Sequence, residues 1–192
     1  LTRDTVKWLI RNPAHAFLIQ EHRLPHHRLG KVVVLLKKYF HVRFTYARIK
    51  NVAEQGGVMV LVKKQYSVWD CMSLPMPKRD DYWVYAIVTI ENGVHAAIIS
   101  LYLHPDDRAT NFKTMHDIDK FTSSFKGPTL IGGDFNQDPT ELSQTNWSVL
   151  SHGCIIRPQD TNIICTSSEA GSMIDYAVGT RGMEHMCIHG QS

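Results

Sequence analysis

With 192 residues, 43% of them hydrophobic and 20% charged, the chain has the size and composition of one globular domain, which argues against a disordered, fibrous or low-complexity protein. Its 21 basic and 18 acidic side chains leave a formal charge of +3, too small an excess to mark a nucleic-acid binder by charge alone. Cys71, Cys154, Cys165 and Cys187 include no C-x-x-C pair, which argues against structural zinc and reads as free thiols in a reducing, intracellular compartment, nucleus or cytoplasm.

Residues 2–11 carry Val6, Leu9 and Ile10 on one face, a helical pattern stopped by Asn12-Pro13. Ala16-Phe17-Leu18-Ile19 follows as a buried strand. Residues 29–40 read as a helix with a Lys37-Lys38 exit, although three valines weaken it. Residues 41–49 alternate as a strand. Gly56-Gly57 opens a β-branched strand over residues 58–62, with residues 66–69 as its expected hairpin partner. Residues 83–90 and 94–101 flank Glu91-Asn92-Gly93, the strongest hairpin signal in the chain. Residues 108–125 read as a helix, Thr129-Leu130-Ile131 as a buried strand, residues 140–150 as a helix after Pro139, and residues 172–178 as a strand. No apolar run is long enough for a membrane span, and nothing implies an oligomer. This order predicts an α/β (α+β) sandwich of four layers, with two packed mixed, mostly antiparallel sheets and helices outside.

Chemistry concentrates in Leu130-Ile131-Gly132-Gly133-Asp134-Phe135-Asn136-Gln137-Asp138-Pro139. Period-two geometry puts Asp134 and Asn136 on one side of a strand end, and the glycines would allow a ligand to approach the backbone. Such a pair can hold a water, a metal or a phosphate oxygen. Asp-x-Asn-x-Asp also resembles the start of a calcium loop, but Pro139 and Thr145 stand where that loop needs glycine and glutamate. From spacing alone, a plain turn with an Asn cap remains an equal reading.

Gly-Asp-Phe-Asn after an apolar strand resembles the hallmark of the endonuclease/exonuclease/phosphatase superfamily, which includes AP endonucleases and retroelement endonucleases. Four further blocks resemble that family in its own order: Leu18-Ile19-Gln20-Glu21, the Gly56-Gly57 strand, Ile98-Ile99-Ser100-Leu101-Tyr102, and Ser172-Met173-Ile174-Asp175-Tyr176. The resemblance implies a divalent-metal-dependent phosphodiester hydrolase, with nucleic acid as the substrate and Mg2+ (or Mn2+) as the cofactor. Glu21 would be the metal ligand. Asp134 would position or deprotonate the attacking water, and Asn136 would hydrogen-bond that water or the scissile phosphate. Tyr102 would donate its hydroxyl to the phosphate, and Asp175 would orient a histidine. A phosphatase acting on a lipid or small phosphoester and a non-catalytic remnant are the alternatives.

The chain departs from the pattern in three places. It starts at Leu1 with the helix that should follow the family's first strand and its Asn, and 17 residues follow Asp175, short of the final Asp-His. The expectation is therefore a single domain over 1–192 that lacks the first and last strands and is a poor catalyst as it stands, with His189 a surface histidine. After Tyr102 the chain reads Leu103-His104-Pro105-Asp106 where the family usually has Ala-Pro-Asn. The His22–Arg28 cluster could meet phosphate or be a solvated loop. Lys63-Lys64-Gln65-Tyr66 could track a nucleic-acid backbone, but reads better as a solvated edge.

Overall fold

The structure is a computed structural model, and it describes residues 1–50, 53–78, 81–156, 175–180 and 183. The first half of the chain alternates helix and strand: α1 (Arg3–Arg11), β1 (Ala16–Ile19), α2 (His26–Leu36) and β2 (Phe40–Phe44). Three strands of three, three and five residues continue it, β3 (Arg48–Lys50), β4 (Ala53–Gln55) and β5 (Met59–Lys63), and β6 (Val68–Trp69) crosses to the second sheet. The hairpin β7 (Trp83–Thr89) and β8 (His95–Tyr102) leads into α3 (Arg108–Phe125) and β9 (Thr129–Asp134). Two short helices, α4 (Pro139–Ser143) and α5 (Ser148–Ser151), precede β10 (Gly153–Ile156) and β11 (Asp175–Thr180).

The strands form a small sheet in the order β1-β5-β2, a large one in the order β10-β11-β9-β8-β7-β6, and a separate β3-β4 ribbon. All pairs are antiparallel except β8 with β9, which α3 joins as a crossover. Period two then sorts each strand into two cores. On β5, Met59 and Leu61 pack with Val6, Leu9, Leu29 and Val33 of α1 and α2. Val60 and Val62 face the large sheet, meeting Val84, Ala86 and Val88 of β7. On the other side, Trp83, Tyr85, Ile87, Ile99 and Leu101 pack under Ile118 and Phe121 of α3. The result is helix, sheet, sheet, helix, the four-layer sandwich expected. Because both faces of β5, β7 and β8 are covered, these strands read as continuous apolar runs.

Several local expectations are corrected. Residues 66–69 do not pair with β5, whose two sides are already taken by β1 and β2; Val68 and Trp69 pair with Val88 and Ile87 of β7 instead. The 41–49 strand breaks after Phe44, where Thr45 turns inward to accept from Val58 N. The second helix begins earlier and ends earlier than its valines suggested, at His26 and Leu36. The 140–150 helix is two pieces, because Trp147 between them is buried and its indole donates to Met115 O at 3.2 Å. The strand β10 had no sequence signal. Ser172, Met173, Ile174 and His189 lie outside the described residues, as do Cys165 and Cys187. Among the described residues no helix is long and apolar enough to cross a membrane, and Cys71 is a free thiol.

Candidate active site

The register of the large sheet sets three expected site residues in one row. Tyr102 pairs with Asp134 across β8 and β9, and Asp134 pairs with Asp175 across β9 and β11. Directly paired residues share a face. Here it is the face toward the small sheet, since Leu101 and Tyr176, their sequence neighbours, belong to the core under α3. The row closes the seam between the sheets.

Glu21 arrives at this row from the small sheet. Gln20 stitches β1 to the large sheet, donating through Nε2 to Ser100 Oγ at 3.1 Å and to Gly132 O at 3.4 Å. Glu21 and Arg23 then take left-handed backbone conformations, both at φ 46°. For residues other than glycine such conformations cost on the order of 1–3 kcal/mol each and persist only where the surroundings fix them. Here His22 N donates to Gly57 O at 3.1 Å and Arg23 N to Gly56 O at 3.3 Å. The buried His22 ring accepts from Leu24 N at Nδ1 (3.1 Å), so its proton is on Nε2, which donates to Thr45 O at 3.0 Å. Burial lowers its pKa and keeps the ring neutral. Gly57 is what makes room, because a Cβ there would sit 2.5 Å from the His22 ring. His22 is thus a structural plug and not a phosphate ligand, and His26 is stacked on Tyr46 with ring centroids 4.6 Å apart. The loop brings the Glu21 carboxylate beside the Tyr102 hydroxyl and to the Arg23 guanidinium, with which it forms an ion pair.

The Asp134–Asn136 turn is equally determined. Asn136 N donates to Asp134 Oδ1 at 3.1 Å, an Asx turn that tolerates the φ of 49° at Asn136. Asn136 Nδ2 donates to Leu103 O at 2.6 Å, and Leu103 N to Asp134 O at 2.8 Å, so the turn is tied to the chain leaving Tyr102. Phe135 points the other way and stacks on Tyr176 at 4.1 Å. The two glycines before the turn serve the protein itself, which corrects the ligand-approach reading. A Cβ on Gly132 would lie 2.4 Å from Leu18 Cδ1, and one on Gly133 would lie 2.1 Å from Leu101 O.

Packing acids together in a partly dry seam has an electrostatic consequence. Burial first, and the neighbouring Asp175 second, raise the Asp134 pKa to about 6, while the Asn136 N–H opposes this. Burial raises Asp175 as well. Burial and then the Glu21 charge push Tyr102 well above the ordinary phenol value, so its hydroxyl stays protonated. Among the described residues no group of three His, Cys, Asp or Glu forms a closed metal cage. The donors present still suit a hard cation: they are all oxygens, and magnesium keeps several waters and binds through one or two carboxylates plus substrate phosphate. Glu21 lies close enough for its charge to act on Asp134. The sequence signalled Glu21, Tyr102, Asp134, Asn136 and Asp175, and all five come to this rim. It gave no notice of Gln20, His22 or Arg23 as their supports. Lys63, read as a solvated edge, instead donates to Asn12 O at 2.6 Å, at the C-terminal end of α1.

The profile of the Endonuclease/Exonuclease/phosphatase family matches residues 2–188, and the chain belongs to that family. No curated protein sequence matches it. Among solved structures it is similar to the endonuclease domain of TRAS1, a telomere-specific non-LTR retrotransposon, at TM-score 0.60 and 15% identity, covering 94% of this chain and 79% of that one. The Xenopus laevis APE2 catalytic domain matches at TM-score 0.62 and 16% identity, covering 95% and 78%. ANGEL2, a 2',3'-cyclic phosphatase, matches at TM-score 0.62 and 12% identity, covering 93% and 73%. At such identities these likenesses show the fold.

Proposed function

We propose that the chain is a divalent-cation-dependent phosphodiester hydrolase that cuts nucleic acid, with Glu21, Tyr102, Asp134, Asn136 and Asp175 as its site. The observation that carries this reading is the row Tyr102–Asp134–Asp175 with the Glu21 carboxylate beside its end. Glu21 would hold magnesium, or manganese in its place, and the bound ion would supply positive charge to the phosphate oxygens. Asp134, with its pKa near neutrality, accepts a proton from the attacking water, the task that favours a base near the working pH. The water oxygen bonds to phosphorus as the bond to the leaving sugar oxygen breaks, and that oxygen takes up a proton from solvent water. The neutral Tyr102 hydroxyl donates to a phosphate oxygen as charge builds on it. Asn136, anchored to Leu103 O, keeps the Asp134 carboxylate aimed at the seam. Asp175 keeps Asp134 basic through its charge.

Nucleic acid is favoured as substrate because the TRAS1 domain, which shares this fold, is an endonuclease. The test is cleavage of plain duplex DNA, abasic-site DNA and single-stranded RNA with 5 mM magnesium (~5 mM suffices for a weak site), beside the Glu21→Gln and Asp134→Asn variants. Magnesium-dependent cleavage that both variants lose is the expected result. Cleavage of none of the three, or equal cleavage by the variants, would overturn the proposal.

A further inference from the structure

The carboxylate assigned above to the cation already has a positive partner. Arg23 Nη2 donates to Glu21 Oε2, and the Tyr102 hydroxyl lies beside this carboxylate. The guanidinium is more than half exposed, 59% against 25% for the Glu21 side chain. Its charge also acts on the Tyr102 hydroxyl, which places it at the solvent-facing mouth of the row.

The pairing is built by the backbone. Residues two apart point the same way only where the chain is arranged for it, and here both flank a buried histidine at the same left-handed φ. Their Cα positions are fixed by the hydrogen bonds to Gly56 O and Gly57 O and by the His22 plug. What remains free is the Arg23 side chain, long and exposed, which changes rotamer without disturbing the loop.

Resting on the proposed function, we propose that Arg23 is a positioning residue that serves as the counter-cation of Glu21 while the metal is absent and is displaced from it when the divalent ion binds. One carboxylate cannot keep two positive partners at full strength. The guanidinium and the ion share the same charge and the same oxygens, so each weakens the other, and the effect is reciprocal. While the ion is absent, Arg23 offsets part of the repulsion among Glu21, Asp134 and Asp175. Once released, it stands at the rim, where a phosphodiester would approach.

The test is manganese binding by the full chain, read without substrate from the electron paramagnetic resonance signal of the free ion. Arg23→Gln removes the competitor, so manganese should bind about two- to five-fold more tightly, which is what an exposed ion pair of this kind is worth. Arg23→Lys keeps the charge and should restore wild-type affinity to within about two-fold. Unchanged or weaker binding by Arg23→Gln would overturn the inference and leave the proposed function standing, as would tightening by Arg23→Lys equal to that of Arg23→Gln. No manganese bound by the wild type would overturn both.

Discussion

Asp134 and Asp175 stand directly opposite each other in the antiparallel pairing of β9 with β11, so two carboxylates share one end of the seam. This arrangement opposes stability, and the sign follows from the protonation of Asp134. Its folded pKa of about 6 lies above the ordinary 3.8, so the fold favours the protonated acid. That contribution is complete below about pH 4 and is lost as pH rises through 6. Asp134→Asn removes the loss. In EDTA at pH 7.5 the variant should melt about 2–4 °C higher, the response to ~1 kcal/mol after discounting for water at the rim. At pH 4 the two should melt alike. Calorimetry at both pH values checks this, and a variant no more stable at pH 7.5 contradicts it.

A divalent ion should reverse the balance. At pH 7.5, millimolar magnesium should raise the melting temperature of the wild type, by ~2.7 kcal/mol of stability if the ion reaches a hundred times its dissociation constant. At pH 5 the shift should shrink, because Asp134 has taken up its proton. Glu21→Ala should abolish the shift at both pH values. A shift retained in that variant would place the ion elsewhere.

The layered fold was legible because it follows from local periodicity. The strand Ala16–Ile19 and the helix Arg3–Arg11 each lie between clear punctuation, and the α3 helix is capped by Asp107 and ends at Lys126 in a left-handed conformation. The motif residues could be found through the family resemblance, and they meet because each lies at or just past one end of a strand: Tyr102 and Asp134 close β8 and β9, Asp175 opens β11, and Glu21 and Asn136 follow β1 and β9. What escaped were relations between segments distant in sequence. No local pattern says that Val68 joins β7, that Leu18 needs the space at Gly132, or that Trp147 must turn inward and split a helix. The Glu21–Arg23 pair was invisible for another reason: side chains two apart in a strand share a face, but this pair meets in a left-handed loop whose shape is dictated by Gly56 and Gly57.

Gly132 and Gly133, adjacent in β9, give a contrast that tests the packing. The Cβ of Gly132→Ala meets the end of the Leu18 side chain, which can rotate away, so the cost should be about 1–3 kcal/mol. The Cβ of Gly133→Ala meets the Leu101 carbonyl oxygen inside the β8–β9 ladder, where neither strand can yield without losing hydrogen bonds. That substitution should cost more than ~4 kcal/mol or prevent folding, in the range reserved for broken cores. Urea melts of the two variants decide it, and equal costs would mean that β8 and β9 are less tightly paired than described.

Tyr102→Phe separates the chemistry of this residue from its packing. The ring is buried between the sheets, with Tyr82 at 5.9 Å, and phenylalanine preserves that contact. The hydroxyl has one visible partner here, Glu21, so stability should change by no more than about 1 kcal/mol. Because its pKa is held well above neutrality, the wild-type hydroxyl is a donor throughout the physiological range and adds no pH step of its own. If it donates to the phosphate only as charge develops, its removal should lower kcat by about 10²–10³ and leave KM nearly unchanged. The magnesium-induced melting shift should survive, since Glu21 is still in place. Asn136→Ala should behave differently. It loses the bond to Leu103 O and puts alanine in a left-handed turn, so it should lose about 1–3 kcal/mol of stability together with activity. A Tyr102→Phe variant with full kcat would reduce Tyr102 to a core aromatic, and one that also lost the magnesium shift would mean that the hydroxyl holds Glu21 in position and does not act on the phosphate.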